Sequence, residues 1–166
     1  EELELCEKAL QDFLDTKRVA FPRFYFVAPA DLLDILSKGT NPQLIIRHLP
    51  KCFDTVSNLE FKPDDKGEPS KMAIGMYSKE KEYVKFAGDC SCDGPVETWL
   101  QTVVDSMRKG LSSEFKKAIP EYEEQERKTW LFNNSVQMTV AVSRVYFTSE
   151  INEAMEALED GNDEAL

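Results

Sequence analysis

The chain has 166 residues, 42% of them hydrophobic, and a net charge of −11 at pH 7. That is enough apolar material for a packed core rather than a disordered tail. The charge excludes nucleic acid, whose phosphates need clustered Lys and Arg, and disfavours an anionic membrane surface.

The sequence begins at Glu1 without an initiator Met and ends in an acidic run, so it reads as an excised segment. The most apolar stretch, Val136 to Phe147, is interrupted by Gln137, Thr139, Ser143 and Arg144 and is too short and polar to span a bilayer. Cys6, Cys52, Cys90 and Cys92, with no secretion signal before the first helix, read as reduced thiols of an intracellular protein.

Leu3, Cys6, Leu10, Phe13 and Leu14 recur at three- and four-residue steps, which predicts an amphipathic helix over 2–19 that Pro22 stops. Arg23 to Val27 is aromatic and β-branched, and reads as extended. A short helix over 30–38 follows, with Gly39 in the left-handed position that ends it. Asn41-Pro42 starts a helix over 42–56, broken or kinked at Pro50.

The period then changes from helical to alternating. Leu59 with Phe61, Met72 with Ile74 and Met76, and Val84 with Phe86 predict strands at about 58–62, 72–77 and 82–86, a small antiparallel meander. Residues 63–70 read as a solvated loop. Gly94, Pro95 and Glu97 open a long helix over 95–119, whose apolar residues include Trp99, Leu100, Val103, Met107, Leu111 and Phe115. Gly110 weakens it and Pro120 kinks or ends it, leaving Glu121 to Lys128 as a charged, exposed extension.

Trp130, Leu131 and Phe132 read as an apolar patch on a connector. Asn134 with Gln137 resembles a capping box for a helix over 135–147, although Val136, Val140 and Val145 leave a strand open there. Thr148 or Ser149 caps a last helix over 149–159. The whole is expected to be one unit, 1–166, mainly α (α+β): an elongated bundle of amphipathic helices with a small antiparallel meander.

The motifs of chemistry are sparse. No Gly-rich loop leads to Lys-Ser or Lys-Thr, so nucleotide binding is not expected. The single histidine, His48, reads as a partly exposed surface or packing residue rather than a base for hydrolysis. Cys90-Ser91-Cys92 between Asp89 and Asp93 falls short of the four ligands zinc wants and reads as a loop with two free thiols. Asp64-Asp65 and Glu123-Glu124 read as solvated carboxylates. No catalytic, cofactor or metal residue is expected.

Residues 17–26, KRVAFPRFYF, resemble the linker of dynein heavy chains, where the phrase KR-x-x-FPRFYF precedes a Leu-rich helix. Further stretches are similar to successive family segments in family order. They are Asp31 to Ser37 (DLLDILS), Asn41-Pro42 with His48 to Phe53, Gly75-Met76 with Ser78 to Glu82 and Val84, Gly94 to Glu97 with Trp99-Leu100, and Trp130 to Phe132. The hairpin loop and Cys90 to Gly94 look more like axonemal, outer-arm chains than cytoplasmic ones.

The resemblance implies the C-terminal part of the linker, before the first AAA+ module, acting as a force-transmitting lever. It implies that ATP and Mg are bound by AAA+ modules elsewhere in the parent chain. The implied partners are those ring modules, dynein intermediate and light chains, and microtubules, with no direct microtubule contact by this segment. The implied location is the cytoplasm and cytoskeleton, in the axoneme of a cilium or flagellum. Phe24, Tyr25, Phe26, Trp99 and Trp130 are then the expected buried joints, and the charged tip Lys79, Glu80, Lys81 and Glu82 a contact for ring modules. The alternative is a helical scaffold that docks light chains or neighbouring motor subunits.

Overall fold

The structure, a computed structural model, describes residues 1–162. The acidic end at 163–166 lies outside the described residues. Two compact units are present, Glu1–Gly110 and a second beginning at Leu111, where the sequence reading has one. The α+β class holds.

In the first unit α1 (Glu2–Ala20) is the expected helix, but it buries only Leu14; Leu3, Leu5 and Val19 are more than two-thirds exposed. Residues Pro22–Phe26 form a 3-10 helix, not an extended segment. Pro22 fits the first turn, and the Phe24 and Val27 amides donate to the carbonyls of Phe21 and Phe24 at 3.0 and 3.1 Å. That tight turn buries Phe21 and Phe24 with their rings edge-on at 5.0 Å, and leaves Tyr25 and Phe26 exposed.

Helix α2 (Pro29–Lys38) buries Leu32 and Ile35. Gly39 ends it in right-handed conformation, φ −57°, not the left-handed one expected. Its lack of a side chain serves close approach instead: a Cβ there would sit 2.7 Å from Val96 Cβ. The Asn41 side chain caps α3 (Pro42–Ile45) by accepting from the Gln43 amide at 3.2 Å. The single helix expected over 42–56 is divided: a 3-10 turn at Ile46–His48 and α4 (Leu49–Cys52) follow, and Phe53 is already extended.

The meander is antiparallel in the order β1 (Val56–Pro63), β2 (Pro69–Ser78), β3 (Tyr83–Ser91). All three strands run longer than predicted. Pairing of Ala73 with Cys90 and Met72 with Ser91 carries β3 through residues read as loop. A register shift between Ala73 and Gly75 breaks the strict alternation, so β2 buries Ala73, Gly75 and Met76, and Met72 and Ile74 are only half-buried. The Tyr83 ring covers Gly75, where a Cβ would lie 2.4 Å from it.

Helix α5 (Val96–Glu124) does not stop at Pro120. As far as Gly110 it belongs to the first unit, burying Val96, Trp99, Leu100, Val103 and Val104. Beyond that its Leu111, Phe115, Ala118 and Ile119 join a separate core with Trp130, Met138 and Val142. Two cores on one helix are why the chain divides there.

In the second unit the expected connector is a helix, α6 (Arg127–Asn133). The two helices expected over 135–147 and 149–159 are one, α7 (Val136–Glu159). Thr148 and Ser149 do not cap it. The Thr148 hydroxyl donates to the Arg144 carbonyl at 2.8 Å and the Ser149 hydroxyl to Glu153 at 3.2 Å, both bonds one helical turn long. Asn134 makes no capping box either: its amide donates to the Trp130 carbonyl at 2.9 Å and Ser135 takes the N-cap place. No described helix is long and apolar enough to cross a membrane.

Candidate functional site

Each unit contains one buried tryptophan whose indole is hydrogen-bonded to backbone, Trp99 in the first and Trp130 in the second. In the first, Trp99 is 2% exposed and its indole Nε1–H donates to the Gly39 carbonyl at 2.9 Å, tying α5 to the end of α2. Beside it Lys17 of α1 pairs with Glu97 at 2.5 Å. Burial is the largest single influence on the Glu97 carboxyl and raises it, but the Lys17 hydrogen bond, a backbone hydrogen bond and the Lys17 charge together outweigh burial and hold that group below its ordinary value. The cleft over this joint, about 170 Å³ and lined by Phe13, Lys17, Leu36, Thr40 and Pro95 among others, is smaller than ordinary small-molecule sites.

In the second unit Trp130 is fully buried and donates to the Ala118 carbonyl at 3.0 Å. Tyr146 donates to the neighbouring Ile119 carbonyl, also at 3.0 Å. Pro120 has no N–H, so the helical ladder is interrupted there. The two side-chain donors grip the carbonyls immediately before it. Tyr122 stacks on Tyr146 at 4.1 Å and meets Trp130 edge-on at 5.0 Å, with the Arg127 guanidinium 4.7 Å from the Tyr122 ring. The sequence reading missed Tyr122 because it lies in a charged run; an aromatic two residues past a helix-interior Pro was the available signal.

Of the other expected joints, Phe24 is buried, but Tyr25 and Phe26 are 60% and 79% exposed and are no joints at all. The 3-10 turn lets only one ring of the three face inward. His48 departs from expectation in the opposite sense: it is 5% exposed. Its Nε2 lies 2.8 Å from Asp34 Oδ2 and 3.2 Å from Arg47 Nε, and its Nδ1 has no hydrogen-bond partner. Lys38, then His48 and Arg47, hold the Asp34 carboxyl well below the usual carboxylate range. This cluster fastens the 3-10 turn to α2.

Cys90 and Cys92 are buried, not on an open loop. A hydrogen bond from the Cys92 thiol, with help from Ser106 on α5, draws Cys90 below its ordinary value against the effect of burial; the same contact raises Cys92. Burial pushes Cys52 up to about 11. Among the described residues no group of three or more His, Cys, Asp or Glu is placed to hold a metal ion.

The hairpin tip is ordered by Ser78, whose hydroxyl accepts from the Glu80 and Glu82 amides at 3.2 and 3.0 Å. Lys81 takes a left-handed φ of 69°, and Lys79 pairs with exposed Asp54 at 3.5 Å. Lys79, Glu80 and Lys81 face solvent.

Residues 1–118 match the family model described as dynein heavy chain, N-terminal region 2. The chain is 66% identical over 99% of its length to the dynein beta chain of the flagellar outer arm of Chlamydomonas reinhardtii. It is 50% identical over 99% to the ciliary dynein beta chain of Tripneustes gratilla, and 47% over 98% to dynein axonemal heavy chain 9 of Homo sapiens. It spans about 4% of the length of each of these relatives.

Proposed function

The chain belongs to the dynein heavy-chain family, in its N-terminal region and close to the axonemal β type, and on that premise we propose that it is the C-terminal part of the linker. Its place is the cytoskeleton of the cilium or flagellum. In this reading the segment is a lever that passes ATP-driven changes of the AAA+ ring to the tail of a microtubule motor. It performs no reaction itself; ATP and Mg belong to the ring modules, and the segment touches ring modules rather than microtubules. In the outer-arm complex the intermediate and light chains would be partners of the parent chain.

The observation that carries the reading is the pair of tryptophan joints. A lever must not yield locally under load. Each unit fixes a stretch of α5 by a fully buried indole that both packs and hydrogen-bonds to backbone, at Gly39 and at Ala118. Dense packing of this kind transmits strain instead of absorbing it. The elongated bundle expected from sequence is the shape such a lever would take.

The test is Trp99→Ala in the full heavy chain, with ATP turnover and microtubule gliding measured on the same preparation. Turnover retained with slowed gliding supports the lever. Equal loss of both, or loss of neither, contradicts it. Turnover by the 166-residue chain alone would contradict the absence of chemistry. The scaffold reading draws on a different observation, the exposed apolar side chains of α7.

A further inference from the structure

Helix α7 has two apolar faces. Met138 and Val142 pack into the core of the second unit at 4% and 0% exposure. On another side Val140, Phe147, Ile151 and Met155 recur at steps of seven, four and four residues, and are 50%, 64%, 42% and 50% exposed. Those steps align them in one stripe, about 22 Å long at the helical rise. Scattered surface hydrophobics are ordinary, but an aligned row of four, interrupted by the exposed Arg144 a turn after Val140, behaves as an interaction surface.

The charges of α7 say what fits on it. Arg144 is its single cation, and Glu150, Glu153, Glu156 and Glu159 follow in its C-terminal half. Glu150 lies a turn from Phe147, and Glu159 a turn from Met155, so carboxylates rim the stripe. The last turn contains no basic residue. Carboxylates at that end oppose the helix dipole, and cations brought there from outside would relieve both. A second copy lying parallel would bring the same acids face to face, and one lying antiparallel would offer them the single Arg144, in a chain of net charge −11 whose like charges disfavour apposition.

We infer that this stripe docks a partner protein's amphipathic helix, whose apolar face is flanked by Lys or Arg. The helix lies along α7, with its cations against Glu150 and Glu159. Apolar anchors supply the affinity and the charges fix partner and orientation. The inference does not depend on the lever reading, since a lever can carry a docked helix.

The test uses the 166-residue chain and two fluorescent eighteen-residue helical peptides with the same Leu face, one flanked by Lys and one by Glu. Anisotropy titration is expected to show the Lys peptide binding at least tenfold more tightly, with the difference shrinking at high salt. The double variant Ile151→Gln, Met155→Gln changes exposed positions only, and circular dichroism confirms that it stays helical. It is expected to weaken the Lys peptide at least fivefold, whereas Glu4→Gln, on α1, does not. Unchanged binding by the double variant would mean adhesion to acidic surface at large and would overturn the proposal. So would equal binding of the two peptides, or a dimer in sedimentation that the double variant abolishes.

Discussion

The indole nitrogen of Trp99 donates to the carbonyl oxygen of Gly39, a residue sixty positions earlier, at 2.9 Å inside the core. The bond joins two helices through a side chain and a backbone group, so packing and hydrogen bonding can be separated by mutation. Trp99→Phe keeps most of the ring but leaves a buried carbonyl unpaired, and should cost about 1–3 kcal/mol. Trp99→Ala also opens a cavity and should cost about 3–5 kcal/mol. Urea unfolding of the two variants checks the order and the gap.

Gly110 sets two effects against each other. Helix propensity alone says Gly110→Ala should stabilise α5 by about 1 kcal/mol. The structure says otherwise, because the new Cβ would lie 2.7 Å from the Lys85 carbonyl oxygen of β3, a backbone atom that cannot swing away. Overpacking of that kind costs about 1–3 kcal/mol, so the net change should be destabilising. A raised midpoint in thermal or urea unfolding would show that helix and strand approach less closely than described.

Phe24 and Phe26 stand two residues apart and should behave oppositely. Phe24→Ala removes a ring with 0% exposure and should cost about 3–5 kcal/mol. Phe26→Ala removes one that is 79% exposed and should change stability by less than about 0.5 kcal/mol. Paired denaturation curves decide it; a large loss from Phe26→Ala would mean that the ring is covered in the protein as it stands in solution.

The helical period was legible where the core is continuous: Leu32 with Ile35, and Trp99 through Val104, read inward from sequence and are inward. It failed where a local hydrogen bond overrides the pattern. The 3-10 bonds after Phe21 turned an apparently extended aromatic run into a turn with one buried ring. Helix α5 runs on through Pro120, where the Trp130 and Tyr146 side chains bond the Ala118 and Ile119 carbonyls, contacts that no reading of proline alone would give. Thr148 and Ser149 looked like caps because their hydroxyls are good acceptors, yet both bond within the helix. The His48 cluster was invisible because its anchor, Asp34, lies fourteen residues away on another helix.

Asp34 gives a pH signature. Its carboxyl is held below the ordinary value in the folded chain by Lys38, His48 and Arg47. A depressed folded value favours the charged form, so its contribution is present above the ordinary carboxylate range near about 4 and fades as pH falls below it. Asp34→Asn should therefore lower the urea midpoint at pH 7 and bring the two proteins together in acid. A difference that persists unchanged at pH 2 would show that the carboxylate charge is not what matters. Because the group is accessible to water, added salt should shrink the effect.

The most direct measurement of the central claim is the stall force of single full-length heavy chains carrying Trp130→Ala, read in an optical trap beside their unloaded ATP turnover. Removing the indole takes away the packing that fills the second core and the donor to the Ala118 carbonyl before Pro120. A segment that carries load should then stall at lower force with turnover unchanged. Stall force equal to that of the unaltered motor, or turnover falling in step with force, would contradict the account.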